Sequence, residues 1–468
     1  MGLIQGIWDF LKLRRNRSRL DQRGITQYQL REIKRLLAYS MEYSSFYRNL
    51  YKGLPVESME DFFALPTINK QIMMDHFNEL NTCGLDKDRV LDFALEKEKN
   101  KEYEGYYLDR YVIGLSSGTS GNKGVYITPR TLTERLPFVF LARSGLSLKH
   151  LPFRILFLLR VFSQGFKDIN SPFIKLDYMS TMTDPEMIVA ALNEKHINII
   201  MAPPSLLRLL IPLEPKIATK LKQIVCYAEV LETEEKERLS AIFGAPVVEI
   251  YQASEGQIAS ACKCGNLHIN EDLVYVEIYD EDGRPVDRPG VAGSRMLVTN
   301  LVNYAQPLIR YEMNDMIVLG EGCPCGSQFR VVKRIIGRND DIPVFRTNEG
   351  HCRQVFPDLF ARWIITASDR IREFKVVQQR EDEVTILVDL LKGEDPEEEQ
   401  NEDRIVIEGL KAKIAAELAE FDLHPAIHIV KTEIELPQDR SKYKRFECIN
   451  INKYIDMKER VEYRNEKS

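Results

Sequence analysis

The stretch Tyr111-Val-Ile-Gly-Leu-Ser-Ser-Gly-Thr-Ser-Gly-Asn-Lys-Gly124, followed directly by Val125-Tyr-Ile-Thr-Pro129, decides how this chain is interpreted. It begins as an apolar run with strand spacing and continues as a loop rich in Ser, Thr and Gly, with Lys123 near its end. Glycines let a backbone approach a polyanion, and hydroxyls and a lysine supply donors and positive charge. No Gly-Lys-Ser/Thr tripeptide follows, so the loop is not a Walker loop. We therefore weigh a binding site for nucleotide phosphates against a flexible Ser/Gly surface loop, and favour the former.

Length and composition indicate a globular protein with more than one domain. The chain has 468 residues, of which 44% are apolar and 29% charged. A chain of this length is too long to fold around a single hydrophobic core of ordinary size. A net charge of -6 argues against a surface that coats nucleic acid. Eight cysteines without a secretory signal point to a reducing, cytoplasmic compartment rather than a disulfide framework.

Downstream of the loop, short apolar runs alternate with helix-like stretches such as residues 233–243. This alternation predicts parallel βαβ units, whose ligands lie at the C-terminal ends of the strands. Tyr251 and Glu255 then fall where a loop leaves a strand, which is a suitable place for chemistry. The runs are Ile155-Leu-Phe-Leu-Leu159, Ile197-Asn-Ile-Ile-Met201, Ile224-Val-Cys-Tyr-Ala-Glu229 and Val247-Val-Glu-Ile-Tyr251.

The pattern changes twice towards the C-terminus. Beyond Gly293 it predicts hairpin-like strands, including Ser294-Arg-Met-Leu-Val-Thr299 and Pro307-Leu-Ile-Arg-Tyr311. Residues 342–468 then read as a small α+β domain, with a hairpin turning at Arg380-Glu-Asp-Glu383 and an acidic loop over residues 393–400. The expected fold is therefore α/β, with a large N-terminal domain over residues 1–337. That domain combines mostly parallel sheets with a β-rich subdomain.

Five motifs, in order, resemble those of the adenylate-forming enzymes, the acyl-CoA synthetase and luciferase superfamily. They are Ser116-Ser-Gly-Thr-Ser-Gly-Asn-Lys-Gly124, Tyr251-Gln-Ala-Ser-Glu-Gly256, Arg310-Tyr-Glu-Met-Asn-Asp315, Gly337-Arg-Asn-Asp-Asp341 and Ser441-Lys-Tyr-Lys-Arg445. Near the N-terminus, Tyr43-Ser-Ser-Phe-Tyr-Arg48 resembles the phenylacetate–CoA ligases. Other stretches, including Cys323-Pro-Cys-Gly326, resemble a branch related to capsule-biosynthesis and deazaflavin-adenylylating synthetases.

The resemblance implies a nucleotide site with a role for each matched side chain. Tyr251 would stack near the adenine, and Glu255 would bind Mg²⁺, a hard ion suited to carboxylate and phosphate oxygens. Asp315 would accept hydrogen bonds from the ribose hydroxyls, and Arg338 would contact ribose or phosphate. The phosphate loop would contribute Ser116, Ser117, Gly118, Thr119, Ser120, Gly121 and Lys123.

The resemblance also implies a mobile C-terminal lid. Asp340 occupies the hinge position, within residues 338–341, about which the small domain would rotate. Lys442 matches the catalytic lysine that reaches the α-phosphate, as a mobile point charge. The glycine that usually precedes this lysine is absent, so Lys444 is a rival.

Two Cys-x-Cys pairs suggest a structural zinc site in the large domain. They are Cys262-Lys-Cys264 and Cys323-Pro-Cys325, and four thiolates brought together would bind Zn²⁺ tetrahedrally. His268 could replace one sulfur. The alternative is four reduced cysteines in two neighbouring loops.

The N-terminal segment, residues 1–13, is amphipathic and precedes four arginines. It predicts either a helix docked on its own domain, which we favour, or a helix on a membrane surface. No apolar run has the length needed to span a bilayer.

Taken together, the motifs predict an ATP- and Mg²⁺-dependent ligase. It would convert a carboxylic acid, aryl or otherwise apolar by resemblance, to an acyl-adenylate, and then pass the acyl group to CoA or a carrier-protein thiol. Two alternatives stay open, namely transfer of AMP to a non-carboxylate acceptor and a non-catalytic nucleotide-binding protein. A homodimer is also left open.

Overall fold

A computed structural model describes residues 3–100, 105–115, 124–146, 151–159, 174–181, 183–280, 282–313, 315–338, 342–348, 352–355, 357–392, 396–434 and 444–448. The α-helices are α1 (Leu3–Arg19), α2 (Gln22–Tyr43), α3 (Ser45–Leu50), α4 (Met59–Phe63), α5 (Lys70–Asp75), α6 (Phe77–Leu80), α7 (Lys87–Asn100), α8 (Arg130–Thr133), α9 (Leu136–Arg143), α10 (Pro185–Glu194), α11 (Pro204–Leu210), α12 (Thr233–Phe243), α13 (Pro357–Ile365) and α14 (Pro396–Ala419). A 3-10 helix follows α11 at Ile211–Lys216.

The strands are β1 (Tyr111–Leu115), β2 (Val125–Pro129), β3 (Phe153–Leu159), β4 (Ile174–Ser180), β5 (Ile199–Ala202), β6 (Gln223–Tyr227), β7 (Val247–Ala253), β8 (Gly256–Ala261), β9 (Leu267–Ile269), β10 (Val274–Tyr279), β11 (Arg295–Asn300), β12 (Tyr311–Met313), β13 (Asp315–Leu319), β14 (Val331–Arg338), β15 (Val344–Arg346), β16 (Cys352–Gln354), β17 (Ile371–Arg380), β18 (Glu383–Leu390), β19 (Ala426–Lys431) and β20 (Phe446–Glu447).

A large mixed sheet forms the centre of the fold, and its described strands lie in the order β13-β14-β9-β8-β7-β6-β5-β3-β4. Strands β4, β3, β5, β6 and β7 are parallel, whereas β7 pairs antiparallel with β8. The predicted parallel βαβ units are therefore confirmed, including the helix over residues 233–243. A short turn joins the C-terminal end of β7, at Ala253, to β8, which begins at Gly256.

Both faces of the parallel half are covered because neighbouring side chains along a strand point in opposite directions. Leu156 and Ile200 pack with helices α10, α11 and α12 in one apolar cluster. Ile155 and Ile199 belong to a separate cluster that includes Phe140 of α9. Continuous apolar runs are the sequence signature of strands buried on both faces.

Strands β1 and β2 flank the predicted phosphate loop. They pair antiparallel, with Leu115 opposite Val125, so residues 116–124 connect two adjacent strands. The apolar run before the loop is thus a strand, as predicted. The predicted loop therefore joins the end of β1 to the start of β2, the strand that pairs with β1.

A second sheet, β10-β11-β12, confirms the predicted change to antiparallel strands, with one difference. The strand predicted over residues 307–311 begins only at Tyr311. Arg310 has φ 48°, in the left-handed region, which interrupts an extended strand. Its buried guanidinium donates from Nε and Nη2 to the carboxylate oxygens of Glu277, at 3.1 and 2.8 Å. This ion pair holds the bend.

The C-terminal α+β unit contains a four-stranded sheet in the order β19-β18-β17-β20. The predicted hairpin is confirmed, with Arg380 opposite Glu383. The acidic stretch predicted as a loop is partly helical, since α14 begins at Pro396. Proline in the first turn and glutamates near a helix N-terminus both favour this start.

Helix α1 docks on the body of the protein, as favoured from the sequence. Leu13 packs with Val139 of α9 and with Leu273, and Asp9 pairs with Arg135 at 2.8 Å. Gly6 lies so close to α9 that a Cβ atom there would be 2.2 Å from the Phe138 ring. Among the described residues, no helix is long and apolar enough to cross a membrane.

Candidate functional site

Several residues predicted to form the nucleotide site lie outside the described residues. These are Ser116, Ser117, Gly118, Thr119, Ser120, Gly121 and Lys123 of the loop, Asp340 of the hinge, and Lys442. Their roles stay predictions. The structure does place the elements on either side of the loop, and it places four further predicted residues.

Tyr251, Asp315 and Arg338 come together at one edge of the central sheet. The Tyr251 hydroxyl donates to Asp315 Oδ2 at 2.7 Å. Asp315 is the first residue of β13 and lies opposite Arg338, the last residue of β14. The Arg338 backbone is placed, but its side chain lies outside the description. Motifs 64 residues apart, from Tyr251 to Asp315, therefore supply neighbouring groups.

Glu255 lies in the turn between β7 and β8, at the same end of the sheet. The Tyr126 hydroxyl donates to Glu255 Oε1 at 2.8 Å and lies 3.1 Å from the Tyr311 hydroxyl. Asn300 Nδ2 donates to the Glu255 carbonyl oxygen at 2.7 Å. A Cβ atom on Gly256 would lie 3.2 Å from Asn300 Nδ2, so the next position favours glycine. Both the side chain and the backbone of Glu255 are thus held.

The two tyrosines remain protonated donors throughout the ordinary pH range. Burial, with the Glu255 carboxylate as the next cause, raises the pKa of Tyr126 far above its usual value. Burial followed by the same carboxylate also raises the pKa of Tyr311. Neither Tyr126 nor Tyr311 is among the site residues predicted from the sequence. The available signals were their positions, since Tyr126 follows the phosphate loop and Tyr311 lies in the motif that ends at Asp315.

The two cysteine motifs also come together, and His268 joins them. Cys262, His268, Cys323 and Cys325 each offer a ligand atom, and these atoms all lie within 4.8 Å of one another. Cys264 is exposed and is not a member of this described group. Of the two ligand sets left open by the sequence, the described residues bring together the one in which His268 of β9 replaces one sulfur, that of Cys264.

Burial and hydrogen bonds shift the pKa values of Cys323 and Cys325 in opposite directions. Burial opposes ionisation of Cys323, but donation from Asn266 and from the Cys325 backbone outweighs it and lowers the pKa to about 7. Burial raises the pKa of Cys325 to about 11. Burial likewise lowers the pKa of His268, so its imidazole is held neutral. A neutral imidazole and a readily ionised thiol are groups that bind metals.

A buried ion cluster links the C-terminal α+β unit to the rest of the protein. Arg445 Nε donates to Glu373 Oε1 at 3.0 Å, and Arg208 Nε donates to Glu373 Oε2 at 2.7 Å. Both guanidinium groups also contact Glu235 of α12. This cluster was not predicted from the sequence, although Arg445 ends the motif that contains Lys442 and Lys444.

Comparisons with protein-family models and with curated proteins find no match. Solved structures do match. 2-Hydroxyisobutyryl-CoA ligase in the postadenylation state, in complex with 2-HIB-AMP, gives a TM-score of 0.68 at 15% identity over 95% of this chain and 94% of that chain. The same ligase in the thioesterification state, with 2-HIB-AMP and CoA, gives 0.54 at the same identity and coverage.

A third match is to a structure with bound ATP. ATP-bound MatB from Rhodopseudomonas palustris gives a TM-score of 0.50 at 17% identity, over 74% of this chain and 67% of that chain. At 15–17% sequence identity, these matches establish a likeness in fold alone. That fold is the one expected from the five motifs. The chain therefore has the fold of the adenylate-forming acyl-CoA ligases.

Proposed function

We propose that this protein is an ATP- and Mg²⁺-dependent ligase that activates a carboxylic acid as its acyl-adenylate. A carboxylate oxygen of the acid would attack the α-phosphorus of ATP, and pyrophosphate would leave. A thiol, most simply that of CoA or a carrier protein, would then attack the acyl carbon. A thioester would form, AMP would leave, and the thiol proton would be released.

The main support for this proposal is that Glu255, Tyr251 and Asp315 lie at one end of the central sheet. Strand β2, which follows the predicted phosphate loop, contacts this end through Tyr126. Tyr126 of that strand donates to Glu255, while Tyr251 donates to Asp315. One end of the sheet thus holds two carboxylates, of which Glu255 would bind a metal–phosphate complex and Asp315 would bind a ribose. The C-terminal edge of parallel strands is where such sheets bind ligands.

Each group has a role that follows from its chemistry. Mg²⁺, held by Glu255, would neutralise phosphate charge. Lys123 and the loop hydroxyls would bind the phosphates that become pyrophosphate. Lys442 would stabilise the negative charge that develops on the α-phosphate during attack. Tyr251 and Asp315 would orient the nucleoside, together with Arg338.

The named neighbours support both half-reactions. One neighbour is a CoA ligase that was crystallised with its acyl-adenylate and with CoA. We infer the same division of labour here, with an adenylation domain over residues 1–337, a hinge at 338–341 and a lid over 342–468. The acid is assigned to the aryl or otherwise apolar class by resemblance. The eight cysteines support a reducing, cytoplasmic location as part of this proposal.

ATP–pyrophosphate exchange tests the proposal directly. We expect Mg²⁺-dependent exchange with an aryl or apolar acid and no thiol present, followed by CoA-dependent release of AMP. Exchange without any thiol-dependent AMP release would favour AMP transfer to another acceptor. Absence of exchange with every aryl, fatty and amino acid, despite tight ATP binding, would overturn the proposal.

Lysine variants provide the matched control. We expect Lys442→Ala to reduce exchange by at least about a hundredfold, in line with loss of a group that stabilises transition-state charge. Lys444→Ala should retain exchange within a fewfold of the unaltered protein. The reverse pattern would reassign the role to Lys444, and full activity in both variants would contradict the mechanism.

A further inference from the structure

We propose that Cys262, His268, Cys323 and Cys325 bind one structural Zn²⁺ ion. Two of the ligand-atom separations are diagnostic. Cys262 Sγ lies 3.6 Å from Cys323 Sγ, and Cys325 Sγ lies 3.5 Å from His268 Nε2. Zinc–sulfur bonds of about 2.3 Å at a tetrahedral angle separate two sulfurs by roughly 3.8 Å. These two separations are close to those of a tetrahedral site, and all four ligand atoms lie within 4.8 Å of one another.

The groups around the cluster orient the ligands. His268 Nδ1 lies 2.8 Å from the carbonyl oxygen of Phe329, which can only accept, so Nδ1 carries the proton and the Nε2 lone pair faces Cys325. A histidine that binds zinc usually donates its other N–H in this way. Asn266 Nδ2 donates to Cys323 Sγ at 3.1 Å, and the Cys264 backbone N–H donates to Cys262 Sγ at 3.3 Å. Such donors favour thiolates.

A closed ligand set indicates a structural role. All four positions around the ion would be filled by the protein, whereas catalytic zinc keeps a position for water or substrate. A disulfide between Cys262 and Cys323 is the chemical rival. It would leave Cys325 and His268 without a role.

The ion would join two loops that determine the geometry of the nucleotide site. Cys262 follows β8, and Cys323 and Cys325 lie between β13 and β14. The other ends of these strands lead to Glu255, Asp315 and Arg338. Zinc would therefore hold the far ends of the strands whose near ends form the proposed nucleotide site.

The test uses the reduced, full-length protein and metal analysis, independent of any activity. We expect one zinc per chain, and a cobalt-substituted protein with thiolate-to-cobalt charge-transfer absorption. Cys323→Ser should weaken Zn²⁺ binding by at least about tenfold. Cys264→Ser, which changes a neighbouring exposed cysteine, should bind as tightly as the unaltered chain. His268→Cys should keep the ion but shift the cobalt d–d bands to those of a four-sulfur site.

Three results would overturn the zinc site. One is a metal-free protein that gains no cobalt–thiolate absorption on titration with Co²⁺. Another is equal loss of zinc in Cys264→Ser and Cys323→Ser. The third is a Cys262–Cys323 disulfide found by mass spectrometry in native protein. Titration of the unaltered chain decides the matter even where Cys323→Ser does not fold.

A separate observation concerns the outer face of α1, and from it we infer a membrane-surface contact. Ile4, Ile7, Trp8 and Leu11 are 75%, 46%, 66% and 52% exposed, and their spacing places them along one side of the helix. The opposite side, with Gly6, Asp9 and Leu13, is buried against the body. The helix therefore shows a second apolar face that the described residues leave exposed.

Charge identifies the occupant of this face as an anionic lipid surface. Exposed basic residues border the stripe, and Asp9, the acidic residue of α1, is buried against Arg135. Association of two copies would bring these like charges together, whereas anionic headgroups would neutralise them. The basic residues are Lys12, Arg14, Arg15 and Arg19.

Trp8 provides the readout because the other of the two tryptophans, Trp363, is buried. Vesicles of phosphatidylcholine with phosphatidylglycerol should shift the Trp8 emission to shorter wavelength and sediment the full-length protein, and phosphatidylcholine alone should do so far less. Leu11→Asn should weaken binding by at least about tenfold. Ile405→Asn, which changes a residue of α14 that is 60% exposed, should not.

The inference fails if mixed vesicles neither shift the emission nor sediment the protein. It also fails if Leu11→Asn and Ile405→Asn weaken binding equally. Concentration-dependent dimerisation that is abolished by Leu11→Asn, in the absence of vesicle binding, would assign the face to a second copy instead.

Discussion

At the level of single residues, the Tyr126 hydroxyl is the group that orients Glu255. Its hydrogen bond of 2.8 Å joins a charged acceptor to a donor whose own oxygen lies 3.1 Å from the Tyr311 hydroxyl. Hydrogen bonds to charged groups in a partly buried site are stronger than neutral ones. Tyr126 is therefore a positioning residue for the proposed Mg²⁺ ligand rather than a participant in the chemistry.

Tyr126→Phe removes this hydroxyl and keeps the ring. We expect the Mg²⁺ concentration needed for half-maximal ATP–pyrophosphate exchange to rise by about tenfold, because a hydrogen bond to a charged group contributes about 1.5–3 kcal/mol. Tyr51→Phe serves as control, since it removes a buried hydroxyl that donates to Pro66 O at 3.4 Å, within the apolar core. Both variants should unfold at similar urea concentrations. An unchanged Mg²⁺ dependence in Tyr126→Phe would contradict the positioning role.

The sequence predicts Glu255, Asp315 and Tyr251 as site residues, but not the Tyr126 hydroxyl that donates to Glu255. Glu255 and Asp315 lie in motifs that carry a chemical meaning on their own. The partner of Glu255 is 129 residues away, and nothing in one sequence reports that the two strands meet. For the same reason, the sequence could not show that His268 points towards the cysteines. Its direction depends on the pairing of β9 with β14. Spacing alone could not distinguish it from Cys264.

At the level of elements, the buried ion cluster determines how α11 and α12 meet β17. Arg208 and Arg445 share Glu373 and Glu235 between them, and their side chains are largely excluded from water. Removing one member of such a cluster leaves an uncompensated buried charge, which is strongly destabilising. The cluster is therefore stable only when all its charges are paired, and this requirement favours one arrangement of these elements.

The cluster predicts a specific dependence of stability on acid. Burial alone would raise the pKa of Glu235, but the guanidinium groups of Arg208 and Arg445 outweigh it and lower the pKa from 4.5 to about 2. A lowered folded-state pKa means that the stabilisation is complete above the unfolded value and is lost as pH falls from about 4.5 towards 2. We expect the urea midpoint of Glu235→Gln to fall less steeply over this range than that of the unaltered protein.

The control for this experiment is Glu237→Gln, which changes an exposed residue of the same helix. It should keep the acid dependence of the unaltered chain. At pH 7, Glu235→Gln should be the less stable of the two by a few kcal/mol, because two buried guanidinium groups then share fewer carboxylates. Equal acid dependence in the two variants would show that Glu235 is not paired in solution.

The elements that were predictable have local patterns. Strands β3, β5, β6 and β7 and helix α12 follow from apolar runs and periodicity, whereas β4 was not predicted. The failures have tertiary causes. Arg310 bends the chain where the sequence reads as a strand, because its guanidinium reaches Glu277 and the carbonyl oxygens of Phe63 and Leu65. Secondary-structure propensities describe local sequence, so they cannot predict these long-range contacts.

At the level of the whole molecule, the order of the units was predictable but their mutual placement was not. The contact between Arg208 and Glu373 joins residues 165 positions apart, in elements that have separate cores. Arg445 is in the same cluster, one residue after Lys444. The cluster therefore holds Arg445, the residue that follows Lys444, against Glu235 of α12.

A proline at the proposed hinge should separate the two half-reactions. Asp340→Pro fixes φ near −65° and removes one backbone rotation about which the lid would turn. Because the ion cluster holds the present arrangement, we expect ATP–pyrophosphate exchange within about threefold of normal and thioester formation slowed by at least about tenfold. Asp340→Ala removes the same carboxylate but keeps the rotation, so it should retain both activities. Equal loss of thioester formation in both variants would assign the effect to the side chain. Normal thioester formation in Asp340→Pro would show that the lid does not turn about residue 340.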